Sequence, residues 1–186
     1  MSQTNDRFFV ALLPSQVIQD YANEVKQVFV DRYNSRAALK SPPHITLQPP
    51  FEWRTAAHSD LSEALSEFAA QFAPIPVTLS GFGAFVPRVV YINVIKSAAL
   101  LTLQTALMHR LEESLGIVNL SAKTRSYAPH MTVGFRDLTP ENFRAAWAEF
   151  QSQPLELEFT ATHLTLLQHD GHQWRVDAEF PFLASN

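Results

Sequence analysis

Apolar and polar positions along this chain follow two periods, one near two residues and one near 3.6, and the switches between them mark the elements. Residues 8–13, Phe-Phe-Val-Ala-Leu-Leu, form a short apolar run of strand formers and read as a buried strand. From Pro14 to about Tyr33, Val17, Tyr21, Val25 and Val28 recur at helical spacing. They predict an amphipathic helix, with Pro14 near its start, where a missing N–H has no partner to lose. Lys40-Ser41-Pro42-Pro43 breaks regularity, and His44-Ile45-Thr46-Leu47-Gln48 reads as a second strand ended by Pro49-Pro50. Ser59 and Asp60 are candidate caps for a helix carrying Leu61, Ala64, Leu65, Phe68 and Phe72. Residues 74–85 and 89–95 read as strands, punctuated by Gly81, Gly83 and Pro87.

The second half repeats this order. After the strand Val89-Val90-Tyr91-Ile92-Asn93-Val94 comes a helical stripe of Leu100, Leu103, Leu107, Leu111 and Leu115, stopped by Gly116. An irregular basic stretch follows, Lys123-Thr124-Arg125-Ser126-Tyr127, then Ala128-Pro129-His130-Met131-Thr132-Val133. Thr139 and Pro140 open a helix with Phe143, Trp147 and Phe150 on one face. The tail reads as a hairpin, with arms at 155–167 and 173–180 and its turn at Asp170-Gly171. Strand, helix, basic loop, Pro-His-x-Thr and helix thus occur twice. Two copies are too few and too long for a solenoid; they predict two pseudo-equivalent lobes.

Composition narrows the class. At 186 residues, 46% hydrophobic and 17% charged, the chain is globular rather than disordered. The net charge of -4 argues against bulk binding to long nucleic acid, but leaves room for a small anion in a locally basic cleft. The chain contains no cysteine, which removes disulfides, thiolate metal sites and cysteine nucleophiles and fits a cytoplasmic protein. The apolar run at 8–13 is too short for a signal-peptide core or a membrane span. Nothing in the sequence reads the oligomeric state.

The chemistry lies in the two Pro-His-x-Thr units. Strand residues two apart point the same way, so His44 shares a face with Thr46, and His130 with Thr132; Gly134 and Arg136 continue the second face if that strand runs on. A hydroxyl donates to a phosphoryl oxygen, and an imidazole gives or takes a proton near neutral pH. Two such units facing each other supply a base for incoming water and an acid for a departing oxygen, with no metal required. The threonines would hold charge that grows on the phosphate in the transition state. His163-Leu164-Thr165 is a third match to the pattern. It lacks the preceding proline and basic stretch, so context sets it apart.

The paired motifs Pro43-His44-Ile45-Thr46-Leu47 and Pro129-His130-Met131-Thr132-Val133 resemble those of the two-histidine (2H) phosphoesterase superfamily, and are most similar to its 2′-5′ RNA ligase-like branch. Pro49-Pro50-Phe51 and Phe135-Arg136-Asp137-Leu138 extend the likeness. The resemblance implies an α+β, bilobal fold: duplicated strand–helix units related by a pseudo-two-fold, with two antiparallel-rich sheets around a central cleft, residues 1–186 forming one domain of two lobes. It implies a cyclic phosphodiesterase acting on 2′,3′-cyclic phosphates of nucleotides or RNA ends, or on 2′-5′ linkages, with 2′-5′ RNA ligation as the same chemistry run in reverse. His44 and His130 would be catalytic, and Thr46 and Thr132 would bind phosphate. Arg136, Tyr127 and Lys40 are further candidates for substrate binding. Many members carry an arginine five residues after the second histidine; here that position is Phe135, and Arg136 is one later.

Other chemistries find less support. No phosphate-binding glycine loop or lysine after glycines appears, so ATP-driven ligation has no motif, and there is no serine-hydrolase elbow. His163, His169 and His172 are close in sequence, but no carboxylate pattern backs a metal site, and the expectation is no metal and no cofactor. The competing reading is a binding module that holds a nucleotide or RNA end in the same cleft without turnover.

Overall fold

The computed structural model describes residues 4–183. β1 (Asn5–Leu12), β2 (Ile45–Arg54), β7 (His163–His169) and β8 (Trp174–Pro181) form one four-stranded sheet in the order β2-β1-β7-β8. β3 (Ile75–Phe85), β4 (Val89–Val94), β5 (His130–Gly134) and β6 (Glu156–Ala161) form the other in the order β5-β4-β3-β6. All pairings are antiparallel. The helices are α1 (Gln16–Tyr33), α2 (His58–Ala69), α3 (Ala98–Leu115) and α4 (Pro140–Phe150). The units β1–α1–β2 and β4–α3–β5 are equivalent in order and pairing, and each ends on the outer strand of its own sheet. The fold is α+β and bilobal, with the duplication the sequence predicts. One apolar core joins the lobes, from Phe8, Val10, Ile45 and Leu47 to Val90, Ile92, Met131 and Val133.

Local rules account for most boundaries. The Ser97 side chain accepts from the Leu100 N–H, and Gly116 closes α3 in a left-handed conformation (φ 66°), its N–H returning to the carbonyls of Leu111 and Glu112. Thr139 caps α4 in the same way, with Pro140 following. α2 begins at His58, which puts Ser59 and Asp60 in its first turn rather than at its cap.

Three further expectations are corrected. The buried stripe of α1 is Ile18, Ala22, Val25, Phe29 and Tyr33, while Val17 is 78% exposed. Val25 belongs to both stripes, and packing rotates the helix so that the Phe29 ring meets Phe150 at 5.0 Å. β2 does not stop at Pro49-Pro50 but runs to Arg54. Gln48 lies opposite Val10 and Phe51 opposite Phe8, so the prolines occupy a bulge on an edge strand, where missing N–H groups break no ladder. The tail is not one hairpin: the chain leaves β6, paired with β3, at Thr162 and enters β7, paired with β1. The hairpin proper is β7–β8, and Asp170 in its turn accepts from the N–H groups of His172 and Gln173.

Candidate active site

β2 and β5 are the outer strands of their sheets, and they border one cleft. Ile45, Leu47, Met131 and Val133 turn inward and are buried. Strand alternation then sends His44, Thr46, His130 and Thr132 the other way, each half-buried. The register repeats the arrangement: Thr46 lies opposite Ala11 on β1, and Thr132 opposite Tyr91 on β4. All four side chains line a single cavity of about 370 Å³.

The two imidazoles are held alike. Nδ1 of His44 donates to the Pro42 carbonyl at 2.7 Å, and Nδ1 of His130 to the Ala128 carbonyl at 2.7 Å. A carbonyl only accepts, so Nδ1 carries the proton in each ring and Nε2 is left for proton transfer. Burial pushes both histidines below their ordinary value. His44 falls to about 4, helped by the nearby Lys26 and His130 and opposed by its bond to Pro42. His130 falls in the same direction, chiefly by desolvation. Aromatic rings wall them in: Phe9 stands 4.7 Å from His44, and Phe85 edge-on 4.9 Å from His130.

Arg7, Lys40 and Arg136 line the cavity, and among its described lining residues there is no carboxylate. A chain of net charge -4 thus carries a cationic cleft. Arg136 reaches it by a route the strand alternation does not describe. β5 ends at Gly134, and Arg136 has φ 45°, in the left-handed region. The turn is tied by Asp137, whose carboxylate accepts from Ser35 Oγ at 2.8 Å and from the N–H groups of Arg36 and Ala37 at 2.6 and 3.0 Å.

A family model described as the 2′-5′ RNA ligase superfamily matches residues 14–173. The chain belongs to that superfamily.

A relative from Geobacillus thermodenitrificans, named "Putative phosphoesterase", is 30% identical over 174 residues, 91% of this chain and 92% of the relative. A second, from Geobacillus sp. strain WCH70 and bearing the same name, is 32% identical over 178 residues, 94% of this chain and 95% of the relative. Among solved structures, Escherichia coli LigT complexed with 3′-AMP shares the fold at a TM-score of 0.67 and 18% identity, covering 97% of this chain and 100% of LigT. The superfamily, the names of these relatives and the shared fold together support an enzyme of the phosphoesterase kind.

The other candidate residues divide. Lys40, on the 3₁₀ turn Ala37–Lys40, lines the cleft. Tyr127 does not line that cavity; its hydroxyl donates to the Thr46 carbonyl at 2.8 Å, and it borders a second, larger cavity. His163 lies on β7 and lines a different cavity, with its Nδ1 2.8 Å from Thr162 Oγ1. His169 packs against Trp174 at the cleft, so this histidine group is close in sequence but divided in space. Sequence reasoning missed Arg7, Phe9, Phe85, Trp174 and Lys26. The alternation of β1 put Arg7 and Phe9 on one face and could have signalled both. Lys26, 2% exposed, donates to the Ser41 carbonyl beside the Pro42-Pro43-His44 turn. Nothing in its helical position separates it from a solvated lysine.

Proposed function

We propose that this phosphoesterase is a metal-independent phosphodiesterase that opens 2′,3′-cyclic phosphates of nucleotides or RNA ends. The observation that carries this reading is the pair of Nδ1-anchored imidazoles, each with a threonine two residues on, lining one cationic cavity. A site that only binds needs donors and charge; two imidazoles oriented to present Nε2 also suit proton transfer. One histidine takes the proton from water as its oxygen forms a bond to phosphorus. The other gives a proton to the departing ribose oxygen as the second P–O bond breaks. Thr46 and Thr132 donate to the non-bridging oxygens, where charge builds. Arg136 and Lys40 attract the anionic substrate, and Tyr127 supports the phosphate clamp through the Thr46 backbone. The same steps in reverse would join ends through a 2′-5′ bond. That LigT has been crystallised with 3′-AMP, NADP+ and ATP supports a nucleotide as ligand. A locally basic cleft on an acidic chain favours such ends over long duplexes. Among the described residues no helix is long and apolar enough to cross a membrane, and the absence of cysteine favours a cytoplasmic setting.

The test is hydrolysis of a 2′,3′-cyclic nucleotide and a short RNA with a cyclic phosphate end, in the presence of a chelator. His44→Ala and His130→Ala, checked for folding by circular dichroism, are each expected to lose roughly 10²–10⁴-fold in kcat. His163→Ala should match wild type. Nucleotide binding by calorimetry without turnover by wild type would replace the enzyme with the binding-module reading.

A further inference from the structure

Beside the catalytic cleft lies a second cavity of about 660 Å³, and the two share Thr46, Phe85 and His130 in their walls. A group esterified to a phosphate held between the histidines can enter it directly. Its wall has an apolar part, made by Leu47, Pro49, Leu101, Met108 and the ring of Phe85, which is 41% exposed. Its polar part comes from two segments. On α3, Thr105 and His109 are four residues apart and so lie on one face. Ahead of β5, Arg125 and Ser126 border the same space. Among the described residues, none of these four side chains has a hydrogen-bond or ion-pair partner.

Other polar groups of the wall are engaged. Lys123 pairs with Glu112 at 2.9 Å, Gln104 donates to the Leu47 carbonyl, and Tyr127 donates to that of Thr46. Lys123 thus neutralises the wall's carboxylate, and the Arg125 guanidinium is the charge left over. The wall therefore offers broad apolar surface, unpaired hydrogen-bonding groups and one unpaired guanidinium. Those match the three parts of a nucleotide: the faces of its base, the polar edge of base and ribose, and a phosphate. The catalytic cleft is smaller, about 370 Å³, and Arg7, Lys40 and Arg136 give it the character of a seat for the reacting phosphate alone.

We propose that the larger cavity receives the substrate's nucleoside and that Arg125 binds a phosphate on its 5′ oxygen. The preferred substrate then carries phosphate on both sides of one ribose, a 2′,3′-cyclic phosphate and a 5′-phosphate, and a bare nucleoside cyclic phosphate is a poorer one. The inference rests on the phosphodiesterase reading and extends it to the part of the substrate that does not react. The base packs against the Phe85 ring, and Thr105, His109 and Ser126 face its polar edge. The bonds made and broken at phosphorus are those already described.

Two substrates test this: adenosine 2′,3′-cyclic phosphate, and the same molecule bearing a 5′-phosphate. The readout is the ratio of their kcat/KM values, in which a general effect of a substitution on folding or chemistry cancels. Wild type is expected to favour the 5′-phosphorylated substrate by about fivefold or more. Arg125→Gln should bring the ratio to about one, and Arg125→Lys should recover part of it. Arg125 is exposed and lies outside helix and strand, so neither change burdens the fold. Lys40→Gln, in the catalytic cleft, should lower both values and keep the ratio. A wild-type ratio near one, or a ratio that survives Arg125→Gln, overturns the subsite alone. Calorimetry with 3′-AMP and adenosine 3′,5′-bisphosphate reads the same preference without turnover. Tighter binding of the bisphosphate that depends on Arg125, with neither cyclic substrate hydrolysed, overturns the phosphodiesterase reading and supports the subsite. Equal affinities with no hydrolysis overturn both.

Discussion

At the scale of single residues, the two histidines set how the protein responds to acid. His44 is held at about 4, below its ordinary 6.5, mainly because burial disfavours the imidazolium. Between those values the unfolded chain binds the proton and the folded chain does not, so stability rises with pH across this window and is lost as pH falls from 6.5 toward 4. Thermal melts from pH 7 to pH 4 should show that slope, and His44→Asn should make it shallower; parallel slopes would refute the assignment. A bound phosphate reverses the balance, because an anion between the imidazoles favours their charged forms. Inorganic phosphate or 3′-AMP should therefore bind more tightly at pH 5.5 than at pH 7.5, with proton uptake. Titration calorimetry in two buffers of different ionisation enthalpy reads that uptake directly, and equal apparent enthalpies would contradict it.

At the scale of elements, α1 is the part on which the first lobe's half of the site depends. Its Phe29 ring occupies the space that a side chain at Gly134 would need: a Cβ there would lie 2.5 Å from two ring carbons. Gly134→Ala is expected to destabilise by about 1–3 kcal/mol through overpacking. Phe29→Leu in the same chain should restore part of that loss, as urea denaturation would show. On the same helix Lys26 is desolvated and held at about 8 rather than 10.5. The unfolded chain binds more protons from pH 8 upward, so wild type should gain stability between pH 8 and 9.5. Lys26→Met should lack that gain. A single turn of α1 thus holds the Ser41 carbonyl ahead of His44, while the turn above it packs against β5.

At the scale of the whole molecule, two contacts join the duplicated halves across the cleft. Tyr127, just before β5, holds the Thr46 carbonyl on β2. Asp137, just after β5, holds the segment after α1 that leads to Lys40. Tyr127→Phe should lose about 1 kcal/mol of stability and lower kcat several-fold with KM little changed, because it releases the backbone of Thr46, the proposed phosphate clamp. Asp137→Ala removes charge-assisted bonds worth roughly 1.5–3 kcal/mol each. It should raise KM more than it lowers kcat, since it frees Arg136 and Lys40 rather than the histidines. Steady-state kinetics on the cyclic nucleotide distinguish the two patterns.

Much of this was legible before any coordinates, because it depends on rules that act within a few residues. The helix opening at Thr139, the helix stop at Gly116, the Asp170-Gly171 turn and the inward and outward alternation at His44-Ile45-Thr46 follow from local stereochemistry. The duplication needs only that the same local order appear twice. What stayed hidden depends on groups distant in the chain. The stripe of α1 was misplaced because Val17 and Ile18 are equally apolar, and only contact with β5 and α4 chooses between them. The passage of the tail from one sheet to the other was hidden because a strand's period is the same in both. The sequence by itself determined the two catalytic-type units, the chemistry available to each and the acidic overall charge. Only the tertiary structure decided that both units lie on outer strands facing one cavity, that Arg7 and Lys26 belong to its surroundings, and that a second, larger cavity opens beside it. Those are outcomes of packing between separate segments of the chain, and no local preference encodes them.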